Sequence, residues 1–402
     1  MTTMLSLLLF YIYLSLPTAY SASCAVSIKY GEFGTLQPLI LTEDRGRFLY
    51  PEKNNGSVLE ISSGKSIYLA CPGDNNYIKN MPGVKEAEAT CISGKTFSVN
   101  MKIREFSSLT CLISSSATTK SMLTTCLNKY SAMQIGFQLQ HGFLQTIKLC
   151  HDKDTYVTHY SMYSLTRKHG NSQIGYPRPL KWRDENYFSG LDMGRLYNWN
   201  VQINVIGKIL QSDDIAKAKI NKDQFLSRGH LTAMSDFVYG SQKTATFSYL
   251  NAAPQWVSFN GGNWAILERG VQDFVRNRLL DLEVYTGVHG EMTMADKHGQ
   301  QQKIHLGEFN TKTPLIVPKY FWKIIYDPQK KLGTAFVGLN DPFISLNDST
   351  VYLCKDRIES KINWLNWKPT DIKKGVSYAC PVNSLRKQIP TIPQFDVVGV
   401  LI

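Results

Sequence analysis

Leu226-Ser227-Arg228-Gly229-His230-Leu231, Phe247-Ser248-Tyr249-Leu250-Asn251-Ala252-Ala253-Pro254-Gln255 and Phe259-Asn260-Gly261-Gly262-Asn263-Trp264-Ala265-Ile266-Leu267-Glu268 follow one another in this order. Residues 225–232 read as the end of a strand. Arg228 and His230 are two apart, so a regular strand projects both to one face. Gly229 between them admits a close approach of backbone or of a phosphate. Residues 261–280 read as a helix, because Trp264, Leu267, Val271, Phe274, Val275 and Leu279 recur at helical spacing. Asn260 is placed to cap that helix. Gly261, Gly262 and Gly270 lower its intrinsic propensity by roughly 1 kcal/mol each relative to Ala.

Strand, turn and helix here carry groups suited to one chemistry. Phosphodiester hydrolysis needs a base for the attacking water, a cation for the phosphoryl oxygens and stabilisation of the departing oxygen. A histidine supplies the first near neutral pH. Asn260 offers a neutral amide oxygen to a hard cation, and magnesium commonly keeps several waters and takes few protein ligands. Glu268 lies about 80° round a regular helix from Asn260, where it can accept hydrogen bonds from the cation's hydration shell. Taken singly, each residue has an ordinary explanation. Asn260 is a helix cap, Glu268 a solvated helix residue, Trp264 packing, and Asn251 part of a turn.

Taken together, the segments resemble the DNA/RNA non-specific endonucleases, the ββα-metal or His-Me finger class. That signature runs Asp-Arg-Gly-His, then Asn-x-x-Pro-Gln, then Asn-x-x-x-Trp-x-x-x-Glu. The second and third parts are present in full at residues 251–255 and 260–268; the first stands as Ser227-Arg228-Gly229-His230. The resemblance extends over residues 132–338 and includes Val284-Tyr285-Thr286-Gly287. With the leader, the cysteine-rich front and Phe237-Val238-Tyr239-Gly240, the chain looks most like secreted insect nucleases that degrade double-stranded RNA. The resemblance implies an α+β fold, a ββα-metal nuclease domain with a central, mainly antiparallel sheet. It implies His230 as general base, Asn260 as magnesium ligand, Glu268 as holder of water around the metal, Arg228 as phosphate contact and Asn251 in support. Manganese is expected to substitute for magnesium. Two positions depart from the pattern. Ser227 replaces the signature's Asp. Gln272 stands where some relatives place an Arg, so that role is either missing or supplied by Arg269, Arg276 or a residue around Arg167 and Arg178.

The rest of the chain sets the context. Its 402 residues, 43% hydrophobic and 19% charged, suffice for a large core, with two domains expected. The formal net charge of +12 favours polyanionic partners, nucleic acid among them. Residues 4–16 are apolar, Pro17 and small residues follow, and residues 1–22 read as a signal peptide. No later run is long and apolar enough to cross a bilayer, so a secreted protein is expected. Eight cysteines behind such a leader imply disulfides. Cys354 and Cys380 are expected to pair, since no other cysteine lies near either. Asn55-Gly56-Ser57 and Asn347-Asp348-Ser349 are glycosylation sequons.

Residues 23–133 read as a small, disulfide-rich, mainly β domain, and residues 134–402 as the nuclease domain. Residues 156–163 and 199–206 alternate enough to be strands. A strand or strand pair is expected over 315–325, with another over 334–339. The function expected is a secreted, magnesium-dependent endonuclease giving 5′-phosphate products. Its water nucleophile allows RNA and DNA alike, and the insect resemblance implies a preference for double-stranded RNA. Two other readings stay open. One is a nucleic-acid-binding protein that has lost turnover on the same scaffold; the other is a secreted glycan- or protein-binding module.

Overall fold

The computed structural model describes residues 23–29, 32–52, 56–170, 173, 176, 178–179, 181–307 and 312–402. The expected leader at 1–22 and the Asn55 sequon lie outside them. An antiparallel sheet of eight strands dominates. In spatial order these are Ser377–Pro381, Leu332–Leu339, Pro318–Asp327, Asp281–Glu291, Val157–Thr166, Gly142–Asp152, Tyr130–Leu139 and Thr118–Cys126. The central strands are long and almost wholly buried, as Pro318–Asp327 and Leu332–Leu339 illustrate. Such runs of β-branched and aromatic residues suit a sheet covered on both faces.

A separate two-stranded hairpin pairs Leu226–His230 with Ala252–Trp256. The helical segment that follows starts at Val257 and runs on as Ala265–Arg278. Strand, strand and helix are thus consecutive in space, which is the ββα arrangement expected. Leu267, Val271, Phe274 and Val275 bury one stripe of the helix, so helical spacing is satisfied by packing rather than by propensity. Lys368 and Gly375 are stapled to its start by Asn263. The Asn263 Nδ2 donates to both their carbonyls at 2.7 Å, and its Oδ1 accepts from the Lys368 amide at 3.0 Å.

The front of the chain forms a five-stranded sheet of Leu39–Leu41, Ser66–Ala70, Glu86–Ser93, Thr96–Val99 and Lys102–Glu105. Cys24–Cys91 and Cys71–Cys111 brace it. Cys126–Cys150 instead ties two strands of the large sheet, and Cys354–Cys380 pair as expected. The large sheet begins at Thr118, and residue 133 falls within the strand Tyr130–Leu139. Front and main body share one continuous buried cluster. Tyr239 stacks on Phe48 and Tyr50 at 5.8 and 5.7 Å between ring centroids, and its hydroxyl donates to the Leu49 carbonyl.

One expected strand is a helix. Trp199–Ile209 is helical, with Asn198 as its cap accepting from the Asn200 amide. The alternation of Val, Ile and polar residues there is misleading. Gln202, Val205 and Ile206 lie at helical spacing and are all buried. Gln202 spends its amide on the hairpin, donating to the Leu226 carbonyl and accepting from the Leu226 amide. The helix therefore pins the strand one residue before Ser227.

Candidate active site

The hairpin register sets the faces. Arg228 stands opposite Pro254 and His230 opposite Ala252, while Ser227 and Gly229 stand opposite Gln255 and Ala253. Cross-strand partners share a face, so Arg228 and His230 project together and Ser227 projects to the other side. Gly229 serves packing. A Cβ there would meet the Gln255 Oε1 at 2.3 Å.

His230 is half-buried, yet its Nε2 is enclosed and has no protein partner. Trp182 lies 4.6 Å from it and Phe247 5.0 Å, measured between ring centroids. Backbone bonds hold that wall in place. Arg183 donates to Phe247 and accepts from Tyr249, and its guanidinium caps the Thr244 and Ala245 carbonyls. Desolvation pushes the imidazole down to about 4, with the nearby Arg178 charge acting the same way. The ring is therefore neutral near pH 7, the form a general base needs.

Asn251 is fully buried and holds the turn just after His230. Its Oδ1 accepts from the Thr232 amide at 2.9 Å, and its Nδ2 donates to the Thr232 and Thr246 carbonyls at 3.0 Å each. The side chain's donors are thus spent on the fold, a supporting role. Arg228 lies over Tyr197 and Tyr249, its guanidinium carbon 5.0 and 5.7 Å from their ring centroids, and donates to the Gly194 carbonyl at 3.3 Å. Its Nε is buried without a partner.

Asn260 is no helix cap. Its backbone is helical, at φ −56° and ψ −48°, and sits in a wide turn, Asn260–Trp264, between two helical pieces. Gly262 leaves the helical region there, at φ −92° and ψ −123°. A Cβ on Gly262 would meet the Lys374 carbonyl at 2.5 Å. The break also voids the regular-helix angle expected between Asn260 and Glu268. The Asn260 side chain reaches back to the hairpin, its Nδ2 donating to the Ser227 Oγ at 3.1 Å. Ser227 precedes His230 by three residues, about 10 Å along a strand.

Glu268 is half-buried, and desolvation pushes its carboxyl up to about 7. The Lys323 charge opposes the rise, and the Asp236 charge adds to it. Lys323 and Asp236 are both buried. The lysine Nζ donates to the Thr286 Oγ1 at 2.6 Å. Asp236 accepts from the Tyr163 hydroxyl and from Gln272, whose Nε2 lies 2.6 Å away. Burial drives Asp236 up and Lys323 down, against their mutual attraction.

The family model of the DNA/RNA non-specific endonucleases matches residues 129–385. The chain belongs to this family. Among its relatives is a salivary endonuclease of Lutzomyia longipalpis, 27% identical over 84% of this chain and 75% of its own length. The salivary protein Tsal2A of Glossina morsitans morsitans is 25% identical over 92% of each chain. A salivary endonuclease of Culex quinquefasciatus is 23% identical over 92% of this chain and 90% of its own. A solved structure of the EndoG/EndoGI complex matches at 16% identity and a TM-score of 0.39, over 63% of this chain and 87% of that one.

As a member of a metal-dependent nuclease class, the chain needs a place for a cation. No group of three or more His, Cys, Asp or Glu is poised to hold one among the described residues. The fit is instead to a hydrated hard ion. The Asn260 Nδ2 donates to Ser227, so its Oδ1 is the end left to meet an ion that seeks oxygen. Such an ion takes oxygen ligands and keeps its waters.

The arginines expected around the site divide. Arg167 is paired with Asp281 at 2.7 Å and Arg276 with Asp273. Arg178 lies near His230, and Arg269 is exposed beside Glu268. Gln272 does not face outward as an arginine substitute; it holds Asp236 and Ser235. Trp182, Phe247, Asp236 and Lys323 escaped the sequence reading. Isolated aromatics carry no signal, and the Lys323–Asp236–Glu268 proximity is made by three separate elements. The one available clue to Lys323 was a charge inside a strand otherwise fit for burial.

Proposed function

We propose that the chain is a secreted, magnesium-dependent endonuclease that hydrolyses nucleic acid, double-stranded RNA by preference and DNA as well. The observation that carries this reading is His230, neutral, walled by Trp182 and Phe247 and with its Nε2 free of protein partners, on the strand to which Ser227 ties Asn260. When bound, magnesium or manganese would neutralise charge on the phosphoryl and departing oxygens.

The chain's own groups do the rest. His230 takes the proton of the attacking water. The Asn260 Oδ1 would hold the cation, and the Glu268 carboxylate would orient surrounding water. Arg228, with Arg178 or Arg269, would meet the phosphate. Attack by water with the 3′ oxygen as leaving group breaks the P–O3′ bond, leaves a 5′ phosphate and a 3′ hydroxyl, and does not call on a 2′ hydroxyl. The preference for double-stranded RNA rests on the insect resemblance, with A-form shape as its physical route.

Secretion is supported by the apolar leader at 1–22, by the four disulfides and by the salivary naming of the relatives. Asn347 is exposed and open to glycosylation.

The test is a digestion series on double-stranded RNA, single-stranded RNA and double-stranded DNA, with magnesium, manganese or chelator. Cleavage in either metal, fastest on double-stranded RNA and absent in chelator, is expected. Equal cutting in chelator would overturn the metal dependence. Faster cutting of DNA would overturn the preference.

A further inference from the structure

We propose that Ser227 is a positioning residue for the cation-binding amide: it fixes which end of the Asn260 carboxamide faces the metal. The inference rests on the metal-ligand reading of Asn260 above.

Hydrogen-bond polarity sets the orientation of the amide. An asparagine amide presents an oxygen at one end and an NH2 at the other, and a hard cation accepts only the oxygen. An unrestrained Asn260 would turn the wrong end to the metal part of the time. Ser227 removes that freedom. Its Oγ lies 2.8 Å from the Gln255 carbonyl oxygen and 3.1 Å from the Asn260 Nδ2.

The Gln255 carbonyl can only accept, so the single hydroxyl proton of Ser227 is committed to it. The Oγ then offers only lone pairs to Asn260. A flipped amide would set oxygen against oxygen. The backbone carbonyl of one strand thereby dictates, through one hydroxyl, the orientation of a side chain at the start of the helix.

Geometry makes the relay firm. Ser227 and Gln255 face each other in the hairpin register. Gln202 holds the residue before Ser227 by two hydrogen bonds. Both Ser227 and Asn260 are half-buried, so water competes only in part. The Gln255 side chain does not substitute. Both its amide atoms are buried without a partner, packed against Gly229. Ser227 is thus a working replacement for the acidic residue of the signature, neutral rather than charged.

The test measures Mn2+ binding to the intact, disulfide-bonded chain by electron paramagnetic resonance, without nucleic acid. Ser227→Ala is expected to weaken binding by roughly 10–100-fold, the usual cost of losing a partner that orients a ligand. Ser227→Thr keeps the hydroxyl and should stay near wild type.

The decisive arm is a double-mutant cycle with Asn260→Asp. A carboxylate presents oxygen at both ends and needs no orientation. In that background Ser227→Ala should cost no more than about twofold, the limit of additivity error. An equal loss in both backgrounds would mean that Ser227 serves only the loop, and would overturn the inference. Unchanged binding in Ser227→Ala alone would overturn it too. Unchanged binding in Asn260→Ala would instead remove the metal-ligand reading itself. Thermal melts in chelator report whether each variant is folded. If Ser227→Ala does not fold, Ser227→Cys takes its place in the cycle, being a weak donor of similar size.

Discussion

The Trp182 indole lies across the His230 imidazole at 4.6 Å between centroids and an interplanar angle of 48°. With Phe247 edge-on to the imidazole, at an interplanar angle of 85°, the ring is held by aromatic contact while its Nε2 has no protein partner. Trp182→Ala should therefore lower the single-turnover cleavage rate, by about tenfold or more, since small misplacements of a reacting group cost up to about 100-fold. Trp182→Phe should recover most of the loss. Equal rates for wild type and Trp182→Ala would show that the wall does not position His230.

Glu268 provides a pH signature. Its carboxyl is raised to about 7, so the folded chain binds more protons than the unfolded one between about 4.5 and 7. The associated stability is present below that window and fades as pH rises through 7. A cation bound nearby offsets the loss by favouring the carboxylate. The gain in melting temperature on adding magnesium should therefore be larger at pH 8 than at pH 6, and Glu268→Gln should level it. A gain independent of pH in wild type would contradict the placement of Glu268. His230 acts in a lower window. Its value of about 4 lies below the ordinary 6.5, so its contribution is present above 6.5 and is lost on acidification through about 4.

Asn251→Ala should destabilise the chain. It leaves the Thr232 amide and carbonyl and the Thr246 carbonyl without their partner. Each orphaned buried group costs about 1–3 kcal/mol. Urea denaturation should show a loss of roughly 2–4 kcal/mol after partial relaxation. A loss below about 0.5 kcal/mol, with activity abolished, would mean that Asn251 acts on substrate instead.

Much of this was legible in the residues, because local chemistry and local geometry coincide there. Arg228, Gly229 and His230 lie on one short strand, and a two-residue spacing fixes their faces. Cys354 and Cys380 had no other cysteine nearby. Where long-range contacts decide, the sequence misleads. Residues 199–206 alternate like a strand, but the buried Gln202 locks them as a helix through contacts with Leu226. Asn260 resembles a cap, but Gly262 breaks the helix after it and Ser227 takes its amide. The buried Lys323 beside Asp236 and Glu268 depends on pairing between distant segments, for which no spacing rule exists. Gln272 looks like a lost arginine only until its bond to Asp236 is seen.

Electrostatic attraction should show in binding. With a formal net charge of +12, affinity for double-stranded RNA in chelator should fall steeply and linearly in log–log form with salt. Arg178→Ala and Arg269→Ala should each reduce the slope by about 1 if the side chain meets a phosphate. Arg167→Ala, whose guanidinium is already paired with Asp281, should leave it unchanged. The same slope in all three variants would place the substrate elsewhere.

The proposed cleavage depends on activation of water by the neutral imidazole at the end of the hairpin. It is tested most directly by single-turnover cleavage of double-stranded RNA at saturating magnesium, wild type against His230→Ala, with melting curves confirming that both are folded. The expected rate in the variant is at least about 100-fold lower. A folded His230→Ala protein that cuts at the wild-type rate would contradict it.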